Sequence, residues 1–275
     1  MGGCFRSSIR EEKCVSESPT EFAERERSKL LKKVRRAEVE AVKPCFEPGT
    51  RVLELGSGNG YQASIIASWG CEVVAIFVHD SPHAARYYPV QYYEGENIPY
   101  TDESFDVVFS CHVLSAVKDL PPAVRETRRS LKPDGLAIHI VPSRTLRLWT
   151  SLSHPIWLFK LLLRRLQRST SHRTKAPSAG KTSNKPGLFF RIRQALFPRS
   201  PYAYPNVLSE FYYFGEARWL AVLEENGFEA EWIGSNELFY TGYGLIPGLS
   251  LRARGVLARF LGASSHVFVM HKSKA

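Results

Sequence analysis

The sequence predicts a doubly wound α/β fold, in which helices cover both faces of a mostly parallel, seven-stranded sheet. Three observations lead to this prediction. The apolar run 52–55 stops at a turn with glycines on alternate positions and passes into helix-forming sequence at residue 61. Short, almost wholly apolar segments then alternate with helical ones up to residue 141, as the buried strands of a parallel sheet do. A last helix and two more apolar segments follow after residue 215.

A long charged helix precedes the first strand. The stretch Ser18-Pro19-Thr20-Glu21 is typical of a helix start, because it combines a serine cap, a proline at the first helical position and an acid three residues after the cap. It predicts a helix over 19–43 that is rich in Glu, Arg and Lys. We interpret this helix as solvated and packed on the edge of the domain; closure over a bound ligand is the alternative.

The glycine turn joins the strand over 52–55 to a helix over 61–69. Gly56, Gly58 and Gly60 tolerate positive φ and let a ligand approach the backbone. The helix that follows offers free N–H groups and positive potential at its N-terminus. The turn indicates a binding site, with a turn that binds nothing as the alternative on this motif alone.

The remaining core elements follow in regular order. The predicted strands cover 72–78, 90–93, 105–110, 136–141, 228–233 and 266–271. Predicted helices begin near residue 81 and cover 120–131 and 215–226, with a turn at 133–135 and Gly227 ending the last helix. Because the crossovers are right-handed, the loops after the first, second and fourth strands share one carboxyl edge, where such sheets bind ligands.

The chain divides into four parts. They are an N-terminal tail and helix (1–43), a ligand-binding core (44–143), an insertion (144–200) and the C-terminal part of the core (201–275), which contains a second insertion at 236–264. Between residues 144 and 199 there are 13 Lys or Arg and no Asp or Glu, so subtracting 13 from the net charge of +10 leaves −3 elsewhere. The basicity therefore belongs to the first insertion.

The two insertions combine apolar and basic residues. Leu, Trp and Phe occur beside arginines over 146–168, with Pro155 interrupting the pattern, and 169–186 has the composition of a flexible linker. A basic amphipathic run covers 249–261. We interpret the first insertion as a lid over the substrate pocket, and contact of 146–198 with an anionic membrane surface is compatible with that. Nucleic acid is the third interpretation, but no nucleic-acid motif accompanies the charge, and we do not expect that partner.

Cysteine usage and the N-terminus bear on location. The five cysteines are scattered, without a C-x-x-C pair or metal-ligand spacing, so the sequence predicts reduced thiols and no metal. The N-terminus is polar and charged, and no apolar run has the length of a membrane span. We expect a cytoplasmic protein, with membrane association at the cytoplasmic face as the alternative.

Four motifs together resemble a known family. They are VLELGSGNG at 52–60, EGENIPY at 94–100, SFDVVFS at 104–110 and LKPDG at 131–135. In this order and spacing they resemble class I S-adenosylmethionine-dependent methyltransferases of the type 11 kind, over about residues 50–142. The resemblance implies a Rossmann-like methyltransferase fold, S-adenosyl-L-methionine as the cofactor and methyl transfer as the activity.

The resemblance also implies which residues bind the methionine end of the cofactor. The backbone at Gly56, Ser57, Gly58 and Gly60 would pass close to it. Glu54 would anchor that end, through its ammonium group or by ordering the loop. An ion pair at the sheet edge is the alternative for Glu54.

The adenine and ribose contacts come from the following strands. Glu94 stands where the family places an acceptor for the adenine amine, with Gly95 and Glu96 supplying backbone contacts; a solvated loop acid is the alternative. The family usually ends its second strand with an acid that binds the ribose, but this sequence has Phe77 there. Either Asp80 reaches the ribose or the contact is lost, and Asp80 could equally cap a helix.

Methyl transfer is predicted beside the fourth strand, where Cys111 and His112 should line the pocket. A hydroxyl acceptor requires a base that titrates near neutral pH, and His112 is the candidate by position, with a structural role as the alternative. His139 is predicted to be a packed core residue, and His154 cannot be placed from the sequence. Glu210 and Tyr213 are alternative pocket residues.

We predict a methyltransferase that acts on an oxygen of a sugar, glycolipid or other small acceptor. The basic aromatic insertion and the SEFYYF stretch at 209–214 are loosely similar to methyltransferases of bacterial surface-glycan and lipid-linked sugar pathways. A non-catalytic S-adenosylmethionine-binding protein is one alternative, suggested by Phe77. A nicotinamide-dependent oxidoreductase is another, but its turn would read G-x-G-x-x-G instead of G-x-G-x-G.

Overall fold

The computed structural model describes residues 19–78, 87–171, 203–204, 206–242 and 248–274, and these form the predicted α/β fold. Seven strands make one sheet in the order β3-β2-β1-β4-β5-β7-β6. The strands are β1 (Arg51–Leu55), β2 (Glu72–Phe77), β3 (Gln91–Tyr92), β4 (Phe105–Cys111), β5 (Leu131–Pro142), β6 (Phe228–Ser235) and β7 (Ser265–Lys272). Strands β1 to β5 are parallel, and β7 is antiparallel to both of its neighbours. The prediction of a mostly parallel seven-stranded sheet is confirmed.

Helices cover both faces of the sheet. They are α1 (Pro19–Ala41), α2 (Tyr61–Ala67), α3 (Leu120–Ser130), α4 (Arg144–Ser171), α5 (Val207–Tyr213), α6 (Glu216–Glu225) and α7 (Leu251–Leu261). Side chains alternate between the faces along β1, so Val52 packs with the layer of α1 and α2. Leu53 packs with α3 and α6, where Val124 and Trp219 are buried.

Two of the predicted features differ in the structure, and a third cannot be compared with it. The turn predicted at 133–135 lies inside β5, where the register against β4 jumps from Leu131 to Leu136. The irregularity accommodates the proline and glycine of LKPDG without ending the strand. Pro155 does not interrupt α4, which runs through it. The helix predicted near residue 81 lies outside the described residues.

The first helix is more than a solvated edge helix. Leu30, Val34, Glu38 and Val42 recur every four residues and are all buried, although the rest of the helix is dominated by charge. Glu38 is thus an acid within an apolar stripe. This corrects the interpretation of the helix, because its inner face reaches the carboxyl edge of the sheet.

The carboxyl edge collects the segments from which a site can be built. The glycine turn follows β1, His112 follows β4, Ser143 follows β5, and the antiparallel β7 starts there at Ser265, opposite Pro142. Among the described residues, no helix is long and apolar enough to span a bilayer.

Candidate active site

The glycine turn has the backbone geometry that its sequence predicts. Gly56, Gly58 and Gly60 all have positive φ, at 67°, 55° and 75°. A Cβ on Gly56 would overlap Val113, and one on Gly60 would lie 2.8 Å from Tyr88, whereas one on Gly58 would have no atom of the described residues within 4 Å. The turn is therefore packed on both sides and open at its centre.

A hydrogen bond links this turn to β2, and the turn leads directly into α2. Ser57 is buried, and its backbone N–H donates to the Ile76 carbonyl at 3.1 Å, close to the end of β2. Gly60 is the residue before α2, whose first N–H groups follow at once.

Glu54 is buried in β1, just before the turn. The backbone N–H of Ala63 in α2 donates to its carboxyl group, and Oε2 has no hydrogen-bond partner in the described part of the chain. Burial raises the pKa of Glu54 to about 8, and the Ala63 N–H lowers it only in part. A buried acceptor atom without a partner costs free energy, so this position favours a cationic donor.

The segment after β3 lies beside the end of β2. Gln91 and Tyr92 pair with Ile76 and Phe77, and the Tyr93 N–H donates to the Phe77 carbonyl at 3.2 Å.

The residues predicted to contact adenine follow this pairing. Glu94, Gly95 and Glu96 are exposed there, and a Cβ on Gly95 would lie 3.1 Å from Val78. Asp80, the alternative ribose ligand, lies outside the described residues.

A cluster of polar side chains lies at the end of β4. It consists of residues from α1, from the end of β4 and from the segment around β7: Arg35, Glu38, Cys111, His112, Asn236, Tyr240 and Ser265. We refer to these residues as the polar cluster. Of these residues, only Cys111 and His112 were predicted to line the pocket, because the other members come from segments remote from the methyltransferase-like motifs.

Glu38 is the centre of the polar cluster and is fully buried. Its Oε1 accepts hydrogen bonds from Tyr240 Oη at 2.8 Å and Asn236 Nδ2 at 3.0 Å, and lies 3.3 Å from His112 Nε2. Its Oε2 accepts from Arg35 Nη1 at 2.7 Å. Burial alone would raise the pKa of Glu38, but Arg35, His112 and Tyr240 outweigh burial and hold the pKa well below its usual range. Glu38 is therefore ionised.

His112 takes its orientation from Glu38. Its φ is +59°, a left-handed conformation, and its N–H donates to the Ile140 carbonyl at 2.7 Å. Tyr240 Oη and Ser265 Oγ lie 3.2 and 3.1 Å from its Nε2. Because the ionised Glu38 only accepts, Nε2 carries the proton and Nδ1 keeps its lone pair.

The state of this imidazole suits a base. No described group is hydrogen-bonded to Nδ1. Burial and the nearby Arg35 guanidinium lower the pKa of His112 below its usual value, although Glu38 opposes them. At neutral pH the ring is therefore neutral and can accept a proton at Nδ1.

Comparisons with known proteins identify the family. Residues 53–139 match the sequence profile of a methyltransferase domain family. A probable S-adenosylmethionine-dependent methyltransferase of Mycobacterium tuberculosis is 34% identical over 98 residues, which is 34% of this chain and 36% of that protein. Residues 53–139 are therefore a methyltransferase domain, similar to that of S-adenosylmethionine-dependent methyltransferases.

Two further matches extend this result. A bifunctional biotin-biosynthesis protein of Cellvibrio japonicus is 32% identical over 97 residues, which is 32% of this chain and 19% of that protein. The chain thus spans 36% of the length of the Mycobacterium tuberculosis relative and 19% of the length of the Cellvibrio japonicus relative. The crystal structure of a putative S-adenosylmethionine-dependent methyltransferase from Listeria monocytogenes covers 89% of this chain and 99% of its own, at 14% identity and a TM-score of 0.52. That likeness concerns the fold alone.

The residues at the glycine turn fit S-adenosylmethionine. This cofactor carries an ammonium group at its methionine end, and the buried Oε2 of Glu54, which has no hydrogen-bond partner among the described residues, suits such a donor. Within the described part of the chain, the space beside Gly58 leaves room for a ligand at the same turn. Both features lie at the carboxyl edge of the sheet, where ligands of such folds bind.

The polar cluster does not suit a metal ion. Ligand atoms of Glu38, Cys111 and His112 lie within 4.8 Å of one another. However, Arg35 Nη1 already stands 2.7 Å from Glu38 and 3.3 Å from Cys111 Sγ, so the carboxylate has its own cation. Burial and Glu38 raise the pKa of the Cys111 thiol, which keeps it protonated, whereas a metal requires the thiolate.

The other residues considered for the pocket lie elsewhere. His139 is buried in β5, as predicted, with Nδ1 2.8 Å from Ser110 Oγ, and burial lowers its pKa to about 4. His154 is buried on α4. Glu210 forms a buried ion pair with Arg147 at 2.6 Å, and burial raises its pKa to about 7 despite that partner. Tyr213 stacks on Tyr204. No contact joins Glu210 or Tyr213 to the polar cluster among the described residues.

Proposed function

We propose that this protein transfers a methyl group from S-adenosylmethionine to an oxygen of a sugar, glycolipid or other small acceptor. The observation that carries this proposal is the pair of Glu38 and His112. A buried carboxylate fixes the imidazole with its proton on Nε2, and Nδ1 has no partner within the described part of the chain. A nucleophile oriented by a base, itself oriented by an acid, is a recurring arrangement in group transfer.

In this proposal the cofactor binds along the carboxyl edge. Its methionine end binds at Gly56, Ser57, Gly58 and Gly60, with its ammonium group on Glu54. Glu94, Gly95 and Glu96 bind the adenine, and Cys111 lines the pocket. Asp80 binds the ribose or the ribose contact is absent.

The protein's part in the reaction is positioning and proton transfer. Bound S-adenosylmethionine supplies an electrophilic methyl group. Holding the acceptor oxygen in line with that group accounts for most of the rate enhancement, since little covalent chemistry is left to the protein. His112 Nδ1 would take the hydroxyl proton as the new oxygen–carbon bond forms and the bond between the methyl group and the cofactor's sulfur breaks, and Glu38 would balance the positive charge on the ring.

Two other functions make different predictions. A non-catalytic member of the family would bind the cofactor without turnover, and a nicotinamide-dependent oxidoreductase would bind NAD. Calorimetry with S-adenosylmethionine and with NAD separates the oxidoreductase from the other two, because only it would bind NAD and not S-adenosylmethionine.

Activity separates the remaining pair. Wild type and His112→Asn are incubated with methyl-tritiated S-adenosylmethionine and extracted glycan and lipid fractions. Asparagine tolerates the left-handed φ at this position, so the variant keeps its backbone. The proposal expects labelling by wild type and its loss in the variant, with cofactor binding retained. Binding without labelling of any fraction would favour the non-catalytic function.

A further inference from the structure

A cavity of about 250 Å³ lies between α4 and α7, next to the polar cluster. Its walls are mostly apolar side chains, among them Trp149, Leu152, Ile156, Phe239, Leu257 and Leu261. The Trp149 indole donates to the Leu261 carbonyl at 3.1 Å, and Thr150 Oγ1 accepts from the Gly242 N–H at 3.0 Å. These hydrogen bonds join α4 to α7 and to the segment that precedes α7. The cavity therefore lies at the interface between the two helices.

Tyr240 connects this cavity to the proposed base. It lines the cavity and, through its hydroxyl group, belongs to the polar cluster. The Tyr240 hydroxyl lies 3.2 Å from His112 Nε2. One side chain therefore separates the apolar space from the residue proposed to accept the proton.

The mouth of the cavity continues into exposed apolar surface. Leu152 and Ile156 line the cavity and are 53% and 47% exposed. Three further apolar side chains of α4 are exposed at helical spacing on either side of them, namely Leu148, Phe159 and Leu163. On α7 the exposed apolar residues are Val256 and Phe260. Large exposed apolar surface of this kind marks a binding surface.

The charged residues of the two helices that form this surface are all basic. Residues 144–171 and 249–261 contain Arg and Lys but no Asp or Glu. On α7, Arg252 and Arg259 are exposed beside Val256 and Phe260. Apolar side chains flanked by cations without acids complement an anionic bilayer, which offers hydrocarbon beneath negative headgroups.

We propose that the cavity between α4 and α7 binds the hydrocarbon chain of a lipid acceptor drawn from an anionic membrane, and that Tyr240 separates this chain from the acceptor's hydroxyl group at His112. This inference rests on the proposed function and narrows its acceptor to a lipid. The cavity holds a short stretch of chain, being slightly smaller than the ~300–1,000 Å³ of typical small-molecule sites. The rest of a longer chain lies along the exposed apolar residues of α4.

The test is binding of a chain without the headgroup. cis-Parinaric acid, a fluorescent fatty acid, is titrated into the full-length protein, and S-adenosylhomocysteine binding is measured on the same samples by calorimetry. Leu257→Trp fills the cavity from α7, and Leu152→Glu places a charge at its mouth from a half-exposed position that folding tolerates. Phe260→Glu is the matched control, because Phe260 is 81% exposed on α7 and does not line the cavity.

We expect cis-parinaric acid to bind saturably to wild type and to Phe260→Glu. Its affinity should be about tenfold lower in Leu257→Trp and in Leu152→Glu. S-adenosylhomocysteine binding should be unchanged in all four proteins. A tenfold loss corresponds to about 1.4 kcal/mol. Absence of binding to wild type, equal binding to all variants, or an equal loss in Phe260→Glu would overturn the inference. If wild type does not bind S-adenosylhomocysteine, the proposed function is refuted. The fatty-acid titration still decides whether the cavity binds a hydrocarbon chain.

Discussion

Glu38 Oε1 and His112 Nε2 lie 3.3 Å apart, although 74 positions separate the two residues in the chain. The contact joins the first helix to the end of β4, beside the glycine turn. It gives the proposed base a fixed tautomer, since an ionised carboxylate accepts only from a protonated nitrogen.

Glu38 is proposed as a positioning residue, and Glu38→Gln tests that role. Glutamine keeps the shape but loses the charge, so we expect kcat to fall about 10- to 100-fold, within the range of general-base effects. Because Glu38 raises the pKa of His112, the acid limb of the pH profile should also move to lower pH. A merely structural role would lower the melting temperature without moving this limb.

Glu40→Gln is the control for that experiment. Glu40 lies on the same helix in an exposed i,i+4 ion pair with Arg36. Exposed pairs contribute only about 0–1 kcal/mol, so kcat and the pH profile should match wild type. A similar loss in both variants would show that the helix, and not the Glu38 carboxylate, matters.

The pH dependence of kcat/KM for the acceptor, measured at saturating S-adenosylmethionine, reports His112. The base must be neutral, and its pKa lies below its usual value, so activity should be lost as pH falls through a single ionisation below 6.5 and be flat at neutral pH. Steady-state rates between pH 5 and 8 measure this. An acid limb above pH 6.5 would contradict the assignment of the base to His112.

Glu54 should make cofactor binding depend on pH. Its pKa of about 8 means that the carboxyl group is largely protonated at pH 7 in the free protein. An ammonium group binds the carboxylate form, so S-adenosylmethionine binding should release a proton and tighten as pH rises from 6 to 8. Calorimetry in buffers with different ionisation enthalpies measures the released proton. Glu54→Gln should abolish the release and weaken binding about 10-fold or more, whereas the exposed Glu72→Gln should not.

Glu54 also predicts a stability effect in the free protein. Its pKa of about 8 exceeds the ordinary 4.5, so the folded state favours the protonated form. Its contribution to stability is complete below pH 4.5 and is lost as pH rises through 8. Glu54→Gln should therefore melt near wild type at pH 5 and several degrees higher at pH 8. If the variant and wild type have equal melting temperatures at pH 5 and again at pH 8, Glu54 is not desolvated in the folded protein.

Membrane contact should depend on the exposed apolar residues of the two covering helices. The double variant Phe159→Glu, Phe260→Glu should lose flotation with phosphatidylserine vesicles, because both side chains are largely exposed and each charge opposes insertion. Leu31→Glu, at a half-exposed position of α1, is the control. Flotation of the double variant at the wild-type level would rule out this surface.

The sequence predicts the sheet and the glycine turn well, because both depend on local patterns. Alternating apolar segments and helices indicate the strands, and Gly56, Gly58 and Gly60 have the positive φ values that the motif favours. Glu38 was predictable in part, since an acid at its position interrupts an apolar stripe at four-residue spacing. Tyr240 and Ser265 carry no local signal, because the pairing of β7 with β5 brings Ser265 beside His112 and Tyr240 is hydrogen-bonded to Ser265.

Methyl transfer by His112→Asn, compared with wild type, decides whether His112 is the base. Both proteins are given methyl-tritiated S-adenosylmethionine and extracted lipid at pH 7.5, and label in the organic phase is counted. We expect labelling by wild type and a loss of about 100-fold or more in the variant, which still binds S-adenosylhomocysteine. Equal labelling by the two proteins would contradict it.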